Sequence, residues 1–336
     1  MSPFAVAVVV PSHNGRAHLN ATVRSIARQR EGPIDIIVVD DGSATAYDAD
    51  ELAAAMGPPA NPTTRVRVVR SATNRGVAAA RNIGIAVADA EWVAFCDDDD
   101  LWAPDKLAIQ LDALRTSGAA WAVSSEIGVY EDHRAFSFAE LRSCDSDCFG
   151  ALLDANVVPC GGSGVVARRE LVVALGGFDE TFAQYADWDL NLRLAKHGPP
   201  ANPDDAYVVK VLHGAAMSTR LDELRAELGR LHGKWATERA LHGFGADSIG
   251  TICWIGVLAR DQGISQWRTM ATLPVPWRMR LKWLLKSPLG RSQTAHRLAF
   301  RRRSNAAVLD AIVARTVAFA YAPSTAANPP AAATPE

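Results

Sequence analysis

Four short runs rich in apolar and β-branched residues, separated by segments with helical spacing, constrain this chain more than any other feature. They are residues 4–10, 34–39, 65–69 and 92–96. Between them, Leu19, Val23, Ile26 and Ala27 recur at the period of a helix. Gly76 opens a second helical segment, with Val77, Ala80, Ile83, Gly84 and Val87 on one side. Strands that are apolar on both faces must be covered on both faces. The expected fold is therefore α/β, a mainly parallel central sheet flanked by helices. In such sheets ligands bind beyond the carboxyl ends of the strands.

Two acidic clusters fall at those ends. Asp40 and Asp41, with Gly42 and Ser43, close the second run; Asp97, Asp98, Asp99 and Asp100 follow the fourth. The first cluster alone reads as a turn, or as a carboxylate hydrogen-bonding a nucleobase or ribose. Four adjacent aspartates repel one another unless a cation sits among them. Mg²⁺ and similar hard cations take one or two carboxylates together with substrate phosphates. The second cluster thus reads as a diphosphate-metal site, or as a solvated acidic loop before the next helix. Pro104 suits the first turn of that helix, which Leu107, Leu111 and Leu114 continue. Gly161-Gly162-Ser163-Gly164 reads as a loop, and residues 187–196 as a helix with Leu190 and Leu194 inward.

Six segments carry a family resemblance. In the first half they are Val8-Val9-Val10-Pro11-Ser12-His13-Asn14, Val38-Val39-Asp40-Asp41-Gly42-Ser43, and Asn74-Arg75-Gly76 with Ala80-Arg81-Asn82-Ile83-Gly84. Then come Phe95-Cys96-Asp97-Asp98-Asp99-Asp100-Leu101-Trp102, Gly176-Gly177-Phe178-Asp179-Glu180 and Asp187-Trp188-Asp189-Leu190. In this order and spacing, residues 6–220 resemble family 2 glycosyltransferases, which have the GT-A fold. The resemblance implies inverting transfer of a sugar from a nucleotide-diphosphate sugar to a hydroxyl acceptor, with Mn²⁺ or Mg²⁺ as cofactor. It implies a donor site of Pro11, Ser12, Asn14, Asp41, Arg81, Asp97 and Asp98. Asp97, Asp99 and His213 would be the metal ligands, with Asp99 the most direct. Asp187 matches the catalytic base, and Asp189 is its rival. Gly177, Phe178, Trp188 and Asp189 are the implied acceptor-side residues. The family often has Glu just before the base; here it is Ala186. A position at a helix N-terminus would favour an ionised Asp187.

The implied organisation is a catalytic domain over 1–217, split into a nucleotide-sugar half (1–102) and an acceptor half (103–217). A helical, basic extension follows over 218–322, then an Ala/Pro-rich tail over 323–336, expected to be disordered. Net charge is −2, but residues 262–309 hold ten Lys/Arg and no Asp or Glu; the remaining 25 basic and 37 acidic residues leave −12 elsewhere. The basic run includes Trp267, Trp277 and Trp283. It reads as a helical extension packed on the catalytic domain, or as peripheral contact with anionic membrane through residues 267–303. No recognition motif accompanies the charge, so no nucleic acid is expected. Five cysteines, an odd number, fit reduced thiols in a cytoplasm. No stretch approaches the ~20 apolar residues of a membrane span. The expected setting is cytoplasmic, at most peripheral at the inner face of a membrane. The expected acceptor is a glycan, a lipid-linked glycan or a small-molecule hydroxyl, in cell-surface glycan or glycosylated-metabolite assembly. The alternative is a nucleotide-sugar-binding protein without activity. A dinucleotide oxidoreductase would need G-x-G-x-x-G after the first strand, which holds Pro11-Ser12-His13-Asn14-Gly15-Arg16 instead.

Overall fold

The computed structural model describes residues 3–130, 135–139, 141, 147–212, 221–245 and 306–321. Its first half alternates strand and helix: β1 (Val6–Ser12), α1 (Arg16–Ala27), β2 (Ile34–Asp41), α2 (Ala49–Met56), β3 (Arg65–Ser71), α3 (Val77–Val87) and β4 (Trp92–Phe95). A two-strand excursion and helix follow: β5 (Asp100–Trp102), α4 (Lys106–Ser117) and β6 (Trp121–Ala122). Then come β7 (Ser125–Tyr130), β8 (Ala135–Ala139), α5 (Cys148–Asp154), a 3₁₀ turn at Gly161–Gly164, β9 (Val166–Arg168), α6 (Arg169–Ala174), α7 (Ala186–Ala195) and β10 (Tyr207–Leu212). Three further helices are described, α8 (Leu221–Lys234), α9 (Ala236–Leu241) and α10 (Ala306–Tyr321).

The main sheet runs β3-β2-β1-β4-β9-β6. Its first four strands are parallel, and β9 pairs antiparallel with both β4 and β6. β1 and β2 are buried at every residue, as strands covered on both faces require. They run further than the apolar pattern suggests. Ser12 pairs with Asp40, and Asp41 with Ser71, inside the ladder. The polar strand ends are therefore held by the sheet and are not free turns. A second sheet, β5-β10-β7-β8, starts at the acidic cluster itself, because Asp100 is already in β5.

α1, α2 and α4 cover one face of the main sheet, while α3, α5, α7 and α8 cover the other. The inward side of α3 differs from expectation. Ala78, Ala79, Ala80, Arg81, Gly84 and Ile85 are buried, whereas Val87 is exposed. Small residues let α3 approach β1: a Cβ at Gly84 would lie 2.3 Å from Val9 Cγ1. Pro104 stands before the helix, not in its first turn, since Asp105 is the N-cap of α4.

The expected boundary at 217 is crossed by a common core. Leu224, Leu228 and Leu231 of α8, and Trp235 after it, share the cluster that holds Phe95, Phe178 and Trp188. Fully burying a leucine contributes roughly 1.5–3 kcal/mol, so α8 is part of the same folded body. α10 likewise closes the second sheet, placing Leu309 and Val313 against Leu101, Ile127 and Val209. Its terminal carbonyls need donors. Arg24 meets Ala320 O at 3.1 Å and Arg28 meets Phe319 O at 2.5 Å. The basic run over 267–303 and the tail over 323–336 lie outside the described residues.

Lys106 is fully buried. It meets two neutral groups: Gln110 Oε1 at 2.7 Å and the Trp102 ring, whose centroid is 3.8 Å away. Burial pushes its ammonium from 10.5 down to about 7. Between those values the unfolded chain binds the extra proton, so stability rises with pH across this window and is lowest below it. Lys106→Met should raise the urea midpoint at neutral pH and flatten the climb expected of the wild type up to about pH 10. A wild-type midpoint that stays level across that range would contradict this account.

Candidate active site

The loop after β1 is tied to the loop after β2. Asn14 holds φ +58°; its N–H donates to Ser43 Oγ (3.0 Å), and its Oδ1 accepts from Ala44 N–H (3.0 Å). His13 Nδ1 lies 2.9 Å from Asp41 O. The Tyr47 hydroxyl bridges Ser12 Oγ (2.8 Å) and Gly15 N–H (2.9 Å). Asp40 is fully buried and anchors this corner through Ser43 N–H, Tyr47 N–H and the Arg70 guanidinium. Burial opposes its ionisation, yet these bonds hold its carboxyl below the ordinary range. Asp40 is thus a structural post, and Asp41 is the residue turned toward the N-terminus of α3. Asp41 accepts Arg75 N–H (2.9 and 3.1 Å) and Gly76 N–H (2.8 Å). A carboxylate has about four lone-pair sites, so capacity remains for a ligand donor.

The acidic segment meets the same corner. Asp98 contacts the Ser12 hydroxyl and lies over Gly15, where a Cβ would be 1.8 Å from Asp98 Oδ2. Asp97 Oδ1 takes Arg81 Nη2 at 2.5 Å, and its N–H donates to Ser163 Oγ at 2.9 Å. Arg81 is buried, lies 5.1 Å from the Phe178 ring centroid, and has a buried Nε without a hydrogen-bond partner.

Asp187 reaches this cluster over two glycines. A Cβ at Gly161, which has φ +52°, would be 2.3 Å from Asp187 Oδ2; one at Gly162 would be 2.8 Å from Arg81 Nη2. Any larger residue at Gly161 or Gly162 would push the carboxylate or the guanidinium away. Asp187 lies in the first turn of α7, and its Oδ1 accepts Trp188 N–H at 2.7 Å. Burial pushes its carboxyl above the ordinary range, against the pull of Arg81. Burial therefore outweighs the helix end that was expected to favour the ionised form.

Asp189 has a different environment. It is fully buried, bonded by Arg193 Nε (2.9 Å), Lys234 Nζ (2.8 Å) and Trp235 Nε1 (3.0 Å). Trp188 is also interior, its Nε1 donating to Leu152 O at 2.8 Å. Phe178 is buried edge-to-face on Phe95 at 4.9 Å. Its backbone is clasped by Asn82, whose Oδ1 accepts Phe178 N–H (2.7 Å) and whose Nδ2 donates to Phe178 O (2.9 Å). Three of the four implied acceptor-side residues are buried side chains. Phe178, Trp188 and Asp189 are sealed from solvent and back the site. Gly177, at φ +70°, contributes its shape, since a Cβ there would lie 2.4 Å from Asn82 Oδ1.

Charge at the cluster fits a cation. Burial, then the charges of Asp99 and Asp97, raise Asp98 to about 6 against the Ser12 hydrogen bond. Asp100 is fully buried, and burial pushes it well above the ordinary range. Lys210, opposite Asp100 across β5 and β10, is a residue the motif reading missed. Asp100 first, then Asp97, raise its ammonium beyond its ordinary range. Its signal was one lysine in an otherwise apolar strand. Among the described residues no three His, Cys, Asp or Glu side chains are gathered as a ready-made metal site. A hard cation takes one or two carboxylates and completes its shell with phosphates. His213 lies outside the described residues. Cys96 and Cys160 are buried free thiols, and Cys148 is buried. No helix among the described residues is long and apolar enough to cross a membrane.

Residues 7–166 match the profile of "Glycosyl transferase family 2". The amylovoran biosynthesis glycosyltransferase AmsB of Erwinia amylovora is 28% identical over 211 residues, covering 59% of this chain and 66% of that protein. The succinoglycan biosynthesis protein ExoO of Rhizobium meliloti is 34% identical over 156 residues, 46% and 43% of the two chains. The chain thus spans less than two thirds of either relative's length. Among solved structures, the mannosyltransferase PcManGT from Pyrobaculum calidifontis, in complex with GDP-Man and Mn²⁺, superposes with a TM-score of 0.51 at 18% identity. That match covers 95% of this chain and 87% of the other, and at such identity it speaks to fold. The strand order, the acidic strand ends and these matches agree: residues 7–166 match glycosyl transferase family 2, and the fold is GT-A.

Proposed function

We propose that this chain transfers a sugar from a nucleotide-diphosphate donor to a hydroxyl acceptor with inversion at the anomeric carbon. The observation that carries the reading is the convergence of Asp187, Arg81 and Asp97 across Gly161 and Gly162. One carboxylate there can take a proton while a guanidinium and an acidic segment face a diphosphate. Asp41 and the Ser12–Asn14 loop bind the nucleoside. Arg81 and Lys210 offset phosphate charge. Asp97 and Asp99 would hold Mn²⁺ or Mg²⁺, which supplies Lewis-acid stabilisation of a departing diphosphate.

Asp187 accepts the acceptor hydroxyl proton. The acceptor oxygen bonds to the anomeric carbon as the bond from that carbon to the diphosphate oxygen breaks, and the nucleoside diphosphate leaves with that electron pair. No covalent enzyme intermediate forms. The names of the two relatives support a role in assembling a cell-surface polysaccharide, with a glycan or lipid-linked glycan as acceptor.

Thermal unfolding with UDP, dTDP, GDP and CDP, each with and without Mn²⁺, tests the donor site. One diphosphate should stabilise the chain only with metal, by about 2.7 kcal/mol at 100 times its dissociation constant. Asp99→Ala should abolish that gain. No stabilisation by any of the four would overturn the donor reading, and a product that retains the donor's anomeric configuration would overturn the inverting mechanism.

A further inference from the structure

The buried face of α1 is not uniformly apolar. Thr22 and Ser25, with Gln29 just beyond the helix, are fully buried. Their spacing of three and four places them on one side. Buried polar groups cost stability unless bonded, and all three are bonded to the backbone of one segment. Thr22 Oγ1 donates to Asp98 O at 3.0 Å. Ser25 Oγ accepts Trp102 N–H at 3.2 Å and donates to Thr22 O at 2.8 Å. Gln29 Nε2 donates to Ala103 O at 2.8 Å and to Ser25 O at 3.1 Å, while its Oε1 accepts Leu107 N–H at 3.0 Å.

The segment so gripped begins inside the acidic cluster and ends in the first turn of α4. It leaves β4, turns with Asp100 N–H on Asp97 O (3.2 Å), and makes only three residues of strand before turning again. A path this irregular leaves backbone groups that neither sheet nor helix satisfies. Apolar side chains on α1 could fill the space but could not hold the path. The carbonyl that Thr22 holds belongs to Asp98, the residue between the Asp97 and Asp99 carboxylates.

We propose that Thr22, Ser25 and Gln29 are positioning residues that set the placement of Asp97, Asp98 and Asp99 toward the donor diphosphate. The inference rests on the donor-site reading above. A displacement of about 1 Å at such a site is costly to function even when the fold persists.

The test is binding by the full chain of Mn²⁺ with pyrophosphate, followed by the free-Mn²⁺ electron paramagnetic resonance signal below the melting temperature. Thr22→Val keeps the shape and removes the donor. It should weaken binding about fivefold, the equivalent of one buried hydrogen bond, and Thr22→Ser should restore it. Ser25→Ala should act in the same direction. A stabilising role alone would lower the melting temperature and leave the dissociation constant within twofold of the wild type, and that result would overturn the inference. If the wild type binds no Mn²⁺ with pyrophosphate, the donor-site reading falls, and this inference with it.

Discussion

Asp187→Asn should lower turnover by about 10²–10⁴-fold, the usual contribution of a positioned general base, while nucleotide binding with Mn²⁺ stays near that of the wild type. The substitution keeps the size of the side chain and its bond to Trp188 N–H, and removes the ability to take a proton. The carboxylate touches the 3₁₀ turn and feels the charges of Arg81, Asp97 and Lys210, but it is no part of the donor corner at Ser12 and Asp41. A split between turnover and donor affinity is therefore the signature. Because burial raises the Asp187 carboxyl above the ordinary range, the active form is lost at higher pH than for a surface aspartate. Wild-type turnover should fall as pH drops through that raised value. Asp187→Asn should lack this limb. Unchanged turnover would remove Asp187 as base and favour a nucleotide-sugar-binding protein without this chemistry.

Asp189→Ala should cost about 3–5 kcal/mol of unfolding free energy, the usual result of removing one partner from a buried ion pair. The carboxylate is fully buried between Arg193 and Lys234, with Trp235 Nε1 on the same oxygen as Lys234. Its loss leaves the Trp235 indole N–H without its acceptor and strips Arg193 and Lys234 of their shared carboxylate, while Arg193 keeps the Leu175 and Gly177 carbonyls and Lys234 keeps Asp179. Denaturant unfolding measures the loss directly. Lys234 and Trp235 lie at and just after the end of α8, so the change should also loosen α8 from α7. A loss below 1 kcal/mol together with abolished turnover would make Asp189 the reacting carboxylate and reverse the assignment. Its position two residues from Asp187 makes this pair of experiments a direct comparison.

The parallel sheet and its helical layers were legible in residues 4–10 and 34–39, because near-continuous apolar runs and β-branching are local properties that burial on two faces demands. Strand ends were less legible. Ser12, Asp40 and Asp41 look like turn residues, but ladder bonds and the Tyr47, Ser43 and Arg70 contacts retain them in or beside the sheet. On α3, Val77 and Val87 misled the pattern. The helix packs so closely on β1 that alanine and glycine fill the interface, and hydrophobicity alone does not mark a face built from small residues. Within the acceptor-side motif, the burial of Phe178 and Trp188 in the core cluster was not legible from the segment alone.

What the sequence by itself determined is the order of strands and helices and the delivery of Asp41 and Asp97 to Asp100 to one edge of the sheet. Periodicity and strand-end position are encoded within each segment. Only the tertiary structure decided which carboxylate on α7 faces the site. Residues two apart on a helix point about 200° away from each other, so one of Asp187 and Asp189 must turn inward. α8, arriving from far along the chain, closes over Asp189 with Lys234 and Trp235, while Gly161 and Gly162 leave room for Asp187 beside Arg81. That choice is made by packing between distant segments, which no local pattern records.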